Sequence, residues 1–168
     1  MAATSWNPKQ PRIRATAGGG IPEIRTMKEA ASQSYKAGAL VYLDSSNGLV
    51  TALADGGAVI AGIVQEDASG TVSTAAHVQI IKPGDDVLLI CYDESDTAEV
   101  LASTYKAGFT YDTEIDANGV AYAEYDNEHA TNVQWIFISP VLDAAGASTN
   151  WGVFQLELHA NELAGAKA

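Results

Sequence analysis

The stretch YKAGALVYLDSSNGLVTAL, residues 35–53, has the pattern of one complete β-hairpin. Its apolar run at 39–43 predicts a strand, Asn47-Gly48 predicts a tight turn, and residues 49–53 predict the returning strand. Asparagine followed by glycine tolerates the positive φ angles that a type I′ hairpin turn requires. We expect Gly38 to form the corner at which the chain enters the first strand.

The same signals return 70 residues later in the chain. YKAG occurs again at residues 105–108, and Asn118-Gly119 follows it at nearly the same distance as in the first copy. Two such segments predict related strand pairs of one barrel, each launched by a YKAG turn. Chance is the alternative, because the residues between these landmarks match poorly.

Short apolar or alternating runs separated by turn signals fill most of the remaining sequence, which predicts an all-β barrel or sandwich. The further predicted strands are residues 59–64, 77–81, 86–92, 109–115, 120–125, 133–138 and 153–159. Pro140 is expected to end the 133–138 strand, a loop is expected over 144–150, and only residues 93–103 predict a short helix. We predict an all-β fold: a small β-barrel or β-tulip-like domain over residues 34–168, with an extended N-terminal arm over residues 1–33.

The predicted arm differs from the rest of the chain in charge and in its lack of a periodic pattern. Pro8, Pro11 and Pro22 interrupt it, and three glycines at 18–20 form a hinge. Residues 1–36 contain six of the nine lysines and arginines, whereas nearly all of the 21 acidic residues follow them. We expect the arm to become ordered on an acidic partner, and the acidic body to repel nucleic acid.

No catalytic or metal-binding pattern stands out in the sequence. Residues 114–119 resemble the start of a calcium loop, but Tyr125 stands where the bidentate glutamate belongs, so a hairpin is favoured. Cys91 lies in an apolar run and is expected in the core. The three histidines, at 77, 129 and 159, lack zinc-ligand spacing. We therefore expect no enzyme activity, no metal and no cofactor.

A run of acidic residues could hold a hard cation or could begin a solvated helix, and the helix is favoured because acids are favourable near a helix N-terminus. The run consists of Asp93, Glu94, Asp96 and Glu99. The single cysteine, the lack of a signal-like apolar stretch and the lack of a membrane-length run predict synthesis in a reducing cytoplasm and no membrane partner.

A resemblance to a known family rests on residues 36–44, 47–51, 61–64 and 70–71, which read KAGALVYLD, NGLVT, AGIV and GT. This pattern resembles the first strands of the capsid decoration, or cement, proteins of tailed bacteriophages. Residues 105–140 resemble the second strand group of the same proteins. The chain departs from the compact members of the family in its long arm and in its segment after Pro140.

The resemblance implies a virion protein on the capsid exterior that binds the major capsid protein as a homotrimer and stabilises the head. It implies that the arm docks on the shell. The expected capsid-binding residues are Trp6, Lys9, Arg12, Ile13, Arg14, Arg25 and Lys28. Trp151 and Phe154 are expected either at the trimer interface or in the core, and the sequence leaves both open.

Two other functions remain open from the sequence. The first is another virion β protein, such as a head-fibre base or a tail component, although no shaft-like repeat favours it. The second is a hydrolase that uses two of the many carboxylates, for which a pocket with two close, buried carboxylates would be needed.

Overall fold

The structure is a computed structural model that describes residues 7–54, 59–93, 98–125 and 134–157. Its fold is all-β, as the sequence predicts. The strands are β1 Arg12–Ala15, β2 Ile24–Lys28, β3 Leu40–Leu43, β4 Val50–Ala52, β5 Gly62–Val64, β6 Ala75–Ile80, β7 Asp86–Cys91, β8 Thr110–Ile115, β9 Ala121–Glu124, β10 Trp135–Leu142 and β11 Ser148–Leu156. The described part contains one short 3-10 turn, Ala102–Thr104, and no helix with the length and apolarity to cross a membrane.

The strands form two sheets. The first has the order β2-β6-β5-β3-β4, and the second has the order β1-β7-β11-β10-β8-β9. In the second sheet, β7 also pairs in parallel with β9, which closes five strands into a barrel. This confirms the predicted β-barrel.

The two sheets are two copies of one five-strand arrangement. Adding five to each strand number of β2-β6-β5-β3-β4 gives β7-β11-β10-β8-β9, the order observed in the second sheet. We call β2 to β6 the first unit and β7 to β11 the second unit. The strand β1 is an addition to the second unit.

The residue register repeats along with the strand order. Val41 pairs with Gly62 in the first unit, and Tyr111 pairs with Trp135 at the same place in the second unit. The closing contact repeats as well, because Glu29 forms a parallel bridge with Val50, as Cys91 does with Ala123. The amide of the next residue donates to the same acceptor in each unit: Ala30 to the Val50 oxygen at 2.9 Å and Tyr92 to the Ala123 oxygen at 2.8 Å.

The two YKAG segments are the same turn, as predicted, but they lead into strand pairs of two different sheets and not of one barrel. Gly38 and Gly108 have φ angles of 93° and 80°, values that favour glycine. Each glycine amide donates at 2.8 Å to a carbonyl of the equivalent strand of its unit, Gly38 to Val64 on β5 and Gly108 to Phe137 on β10. The residue after each glycine donates back to the lysine carbonyl, at 3.0 Å for Ala39 to Lys36 and at 3.1 Å for Phe109 to Lys106.

Both YKAG turns lead to Asn-Gly hairpins, but the predicted type I′ turn is wrong. Gly48 and Gly119 have positive φ, whereas neither asparagine does. An aspartate organises each turn instead, because its side chain accepts nearby backbone amides. The Asp116 carboxylate accepts from Asn118 at 2.8 Å and from Val120 at 2.9 Å, and the Asp44 carboxylate accepts from Ser46 at 2.8 Å.

Each unit has an apolar interior, and one face of the first unit packs on the second. The first interior is formed by Tyr35, Ala39, Val41, Val50, Val64, Ala76, Val78 and Ile80. The larger core contains Trp135, Phe137, Phe154, Tyr105 and Tyr111 of the second unit together with Leu40, Leu53, Ile60, Ile63 and Ile81 of the first. The two units therefore share a buried apolar contact and form one body.

Three local predictions are wrong. Pro140 does not end its strand, because β10 continues to Leu142 and shifts register on both sides of the proline, which lacks an amide to donate. The loop expected at 144–150 is shorter, since β11 begins at Ser148. In the described part of the helix expected at 93–103, the only helical structure is the start of the short 3-10 turn at Ala102–Thr104, and Glu99 instead forms an antiparallel bridge with Tyr92.

The expected arm at residues 1–33 also needs correction. Its described part is extended, but β1 pairs with β7 and β2 pairs with β6, so these two pieces belong to the sheets. The reason is that both neighbouring strands offer unpaired backbone groups, which these short segments satisfy.

Candidate docking surface

The start of the predicted arm is held against the second unit by polar contacts. The Lys9 ammonium forms an ion pair with Glu99, whose other oxygen accepts a hydrogen bond from the Asn150 side chain. The hydrogen bond and negative charge of Glu99 raise the pKa of Lys9. The buried side chain of Gln10 donates to the Gly119 carbonyl at 3.2 Å. Lys9 is thus engaged within the chain.

Arg12 and Trp151, which the sequence analysis placed in different roles, contact each other. The Arg12 guanidinium carbon lies 4.8 Å from the centroid of the Trp151 ring, within the range of a cation–π interaction. Trp151 is partly buried and packs against a small cluster of Ile90, Val120 and Tyr122. The sequence offers no signal for this pair, because the two residues come together only through the pairing of β1 and β11 with β7.

Ile13 and Phe154 are packing residues in this chain. Ile13 is partly buried against the larger core. Phe154 is fully buried, with its ring centroid 5.2 Å from that of Phe137. The expectation of Phe154 at an oligomer interface is therefore wrong for this fold, since β11 directs this side chain into the barrel, and the core alternative is correct.

The remaining basic residues of the predicted arm are exposed. Arg14 lies on β1, and Arg25 and Lys28 lie on β2. Neither Arg14 nor Lys28 belongs to any ion pair between described residues. Trp6 lies outside the described residues.

Arg25 takes part in a three-residue charge cluster. Its Nε donates to Glu23 at 2.6 Å, and the Lys82 ammonium lies 2.6 Å from the other Glu23 oxygen. Hydrogen bonds from Arg25 and Lys82 lower the pKa of Glu23 to about 2. One carboxylate thus faces two cations, and the cluster stays positive overall.

Two large apolar side chains are exposed beside these charges. Ile21 is 95% exposed and Ile24 is 54% exposed. We call Ile21, Ile24, Arg25 and Lys28 the docking strip. Exposed apolar groups combined with arginine are typical of protein-binding surfaces. The charge pattern of the sequence predicts the two basic residues as binding residues, but no signal in the sequence indicates the two isoleucines.

The described residues contain no cluster of three or more histidine, cysteine, aspartate or glutamate side chains that could hold a metal ion. Cys91 is buried, and burial raises the pKa of its thiol. The Asp116 carboxylate is used by the amides of its own turn, as the hairpin interpretation requires. Glu94, Asp96, His129 and His159 lie outside the described part.

A cavity of about 350 Å³ lies between the first YKAG turn and the second hairpin turn. Tyr35, Lys36, Leu40 and Leu53 line it from the first unit, and residues 115–119 line it from the second. Its one carboxylate belongs to Asp116, so the cavity lacks the pair of carboxylates that a hydrolase of the kind considered above would need.

Comparison of the chain with protein families, with curated proteins and with solved structures found no match.

Proposed function

We propose that this protein is a decoration protein that binds the outer surface of an icosahedral phage head and stabilises it. Support comes from the resemblance of residues 34–140 to capsid decoration proteins and from the docking strip. The all-β fold is the fold class that this resemblance implies.

The docking strip is the observation that carries the proposal. Arg25 and Lys28 are exposed on a chain whose net charge is −12, and Ile21 and Ile24 are exposed beside them. An acidic partner surface attracts this strip and repels most of the remaining chain, which favours one orientation of binding. Guanidinium groups also pair bidentately with carboxylates, and such pairing fixes the position of the partner.

The proposed partner is the major capsid protein, and the proposed location is the capsid exterior. The proposed oligomer on the shell is a homotrimer, which follows from the resemblance. Trp151 keeps a role at the trimer contact in this proposal because its side chain is only partly buried. Lys9, Arg12 and Ile13 contribute indirectly, since their contacts fix β1 against the second unit. No enzymatic step is proposed.

Co-sedimentation with purified heads that lack this protein tests the proposal. We expect the wild-type chain to sediment with heads at moderate salt. The double variant Arg25→Glu/Lys28→Glu should bind at least about tenfold more weakly, because reversed charges repel an acidic surface. A matched control, Lys36→Glu/Lys106→Glu, makes the same change in net charge at the two YKAG turns and should bind like the wild type.

Failure of the wild-type chain to bind the heads would contradict the proposal. An equal loss of head binding in both double variants would show that binding depends on the net charge of the protein and not on the docking strip. Imaging of the decorated heads separates a decoration protein from a head-fibre base, which would occupy isolated positions, and from a tail component, which would leave the head bare.

A further inference from the structure

The first half of β7 has a strand on each side. On one side it pairs with β11, and on the other it pairs with β1 through Arg12 with Leu88 and Ile13 with Val87. The second half of β7 continues along the same edge to pair with β9. In the second unit, an added strand therefore covers the part of the edge that the barrel closure leaves open.

The equivalent edge of the first unit is β2. Arg25 pairs with Val78 as Val87 pairs with Phe154, so residues 24–26 stand where residues 86–88 stand in the second unit. The second half of this edge is likewise closed, by the bridge of Glu29 with Val50. No described strand pairs with residues 24–26 on the side away from β6.

Hydrogen bonds show which backbone groups face the open side. Ile80 donates to the Glu23 carbonyl at 2.8 Å, and Glu29 donates to the Thr74 carbonyl at 2.8 Å. Residues 23 and 29 thus face β6. Because backbone groups alternate along a strand, Ile24 and Thr26 direct their amides and carbonyls to the open edge. Both residues are exposed.

We propose that this open edge of β2 is a strand-addition site for an extended, acidic segment of a partner protein. An exposed strand edge is a template for pairing, and strand addition is a common mode of peptide recognition. The occupied edge of the second unit shows that this fold accepts an added strand of about four residues at this position.

Charge determines the kind of segment that fits. In the second unit, the added strand carries Arg12 and Arg14, and the edge begins with the acidic pair Asp85-Asp86. In the first unit the acidic Glu23 stands at the position of Asp85, but it is paired with Arg25 and Lys82. The edge itself carries Arg25 and Lys28, so its net charge is positive. A second copy of β1 or of β2 would bring two basic strands together, which disfavours self-pairing. An acidic strand gives opposite charges across the new pair.

A peptide titration tests this proposal with the full-length protein. The probe is a ten-residue peptide of alternating valine and glutamate, followed by backbone amide NMR. We expect the largest shift changes at Ile24 and Thr26, and slowed hydrogen exchange at the Thr26 amide. The same peptide with lysine in place of glutamate should produce neither effect at equal concentration.

The variant Thr26→Pro removes one amide from the open edge without removing a bond to β6, so proline is tolerated there. We expect the glutamate peptide to bind this variant at least about tenfold more weakly, whereas Thr26→Ala, which keeps the amide, should bind within about twofold of wild type. Thr26→Pro should keep the wild-type amide spectrum away from β2, which shows that it folds.

Several results would overturn the proposal: no binding of the glutamate peptide, equal binding of the lysine peptide, or equal binding to Thr26→Pro. Dimers of the free protein that Thr26→Pro dissociates would also overturn it, because a second copy would then occupy the edge. The proposal depends on the proposed function only for the partner's identity. The peptide titration uses no phage heads. A failure of strand addition can therefore be distinguished from a failure of the protein to bind heads.

Discussion

Tyr35 and Tyr105 occupy equivalent positions in the two units, but their hydroxyl groups differ in hydrogen bonding. Each is the first residue of a YKAG turn, and each is buried in its unit. The Tyr105 hydroxyl donates toward two carbonyl oxygens, at 2.6 Å to Ala123 and 3.0 Å to Tyr92. The Tyr35 hydroxyl is buried and makes no hydrogen bond of normal geometry among the described residues. Burial, together with the charge of the nearby Glu29 and a weak hydrogen bond to it, raises the pKa of Tyr35.

Replacing each tyrosine by phenylalanine should therefore have unequal effects. Tyr105→Phe removes the hydroxyl that donates to the Tyr92 carbonyl and one of the two donors to the Ala123 carbonyl, and it should lower the free energy of unfolding by about 1–2 kcal/mol. Tyr35→Phe removes a hydroxyl that makes no hydrogen bond of normal geometry, and it should change the free energy of unfolding by less than about 0.5 kcal/mol, or raise it. Urea unfolding of both variants measures the difference. A larger loss for Tyr35→Phe would contradict the assigned contacts.

The Glu23 cluster predicts a pH dependence at the residue scale. Its pKa of about 2 lies below the ordinary value of 4.5, so the carboxylate stabilises the fold above pH 4.5 and this contribution is lost as pH falls towards 2. NMR titration of the Glu23 carboxyl should give a midpoint near 2. Arg25→Gln should raise the midpoint, and Lys36→Gln should leave it unchanged. A wild-type midpoint near 4.5 would show that the cluster does not form.

At the scale of elements, strands with strong local signals could be predicted from the sequence and those defined by long-range pairing could not. The strand β3 is continuous, apolar and bounded by turn residues, so its prediction succeeded. The strand β1 has four residues, RIRA, which carry no recognisable period. It exists because β7, more than 70 residues later, offers an unpaired edge.

Long-range contacts also limited what the sequence could predict about the docking strip. The basic residues of the first 33 positions could be read from composition, but their separation into engaged and exposed groups depends on partners distant in sequence. Lys9 is engaged by Glu99 and Arg12 by Trp151. Lys28 lies on β2 and keeps an exposed side chain.

A pair of substitutions in β1 tests whether this strand belongs to the fold. Ile13 packs against the core, so Ile13→Ala should lower the free energy of unfolding by about 1–2 kcal/mol. The matched control Arg14→Ala changes an exposed residue of the same strand and should be close to neutral. Chemical denaturation provides both values. If neither substitution has an effect, residues 12–15 form a free arm instead of a strand.

At the scale of the whole molecule, two landmarks in the sequence indicated the internal duplication. YKAG and Asn-Gly recur because a glycine with positive φ is needed at the same corners of both units. The residues between them diverged freely, since a barrel interior accepts different apolar side chains of suitable volume. The parallel closure and the open edge of β2 left no local signal, because both depend on pairing between distant segments.

The shared core predicts that the two units unfold together. Ile63 belongs to the first unit and is fully buried in the core that it shares with the second. Ile63→Ala should lower the free energy of unfolding by about 2–4 kcal/mol while calorimetry still shows one two-state transition. Two separate transitions, in the wild type or the variant, would mean that the units are independent domains.

The described residues contain one unit twice, with the added strand present beside the second copy and absent beside the first. Site-resolved amide hydrogen exchange of the full-length protein tests this arrangement most directly. Equivalent amides should be protected in pairs: Gly38 with Gly108, Ala30 with Tyr92, and Ala61 with Gln134. The exchange rates of equivalent amides should differ at one position. The Leu88 amide, which β1 covers, should exchange slowly, whereas the equivalent Thr26 amide on the open edge should exchange fast. Fast exchange at Ala30 beside slow exchange at Tyr92 would contradict the duplicated closure, and slow exchange at Thr26 would contradict the open edge.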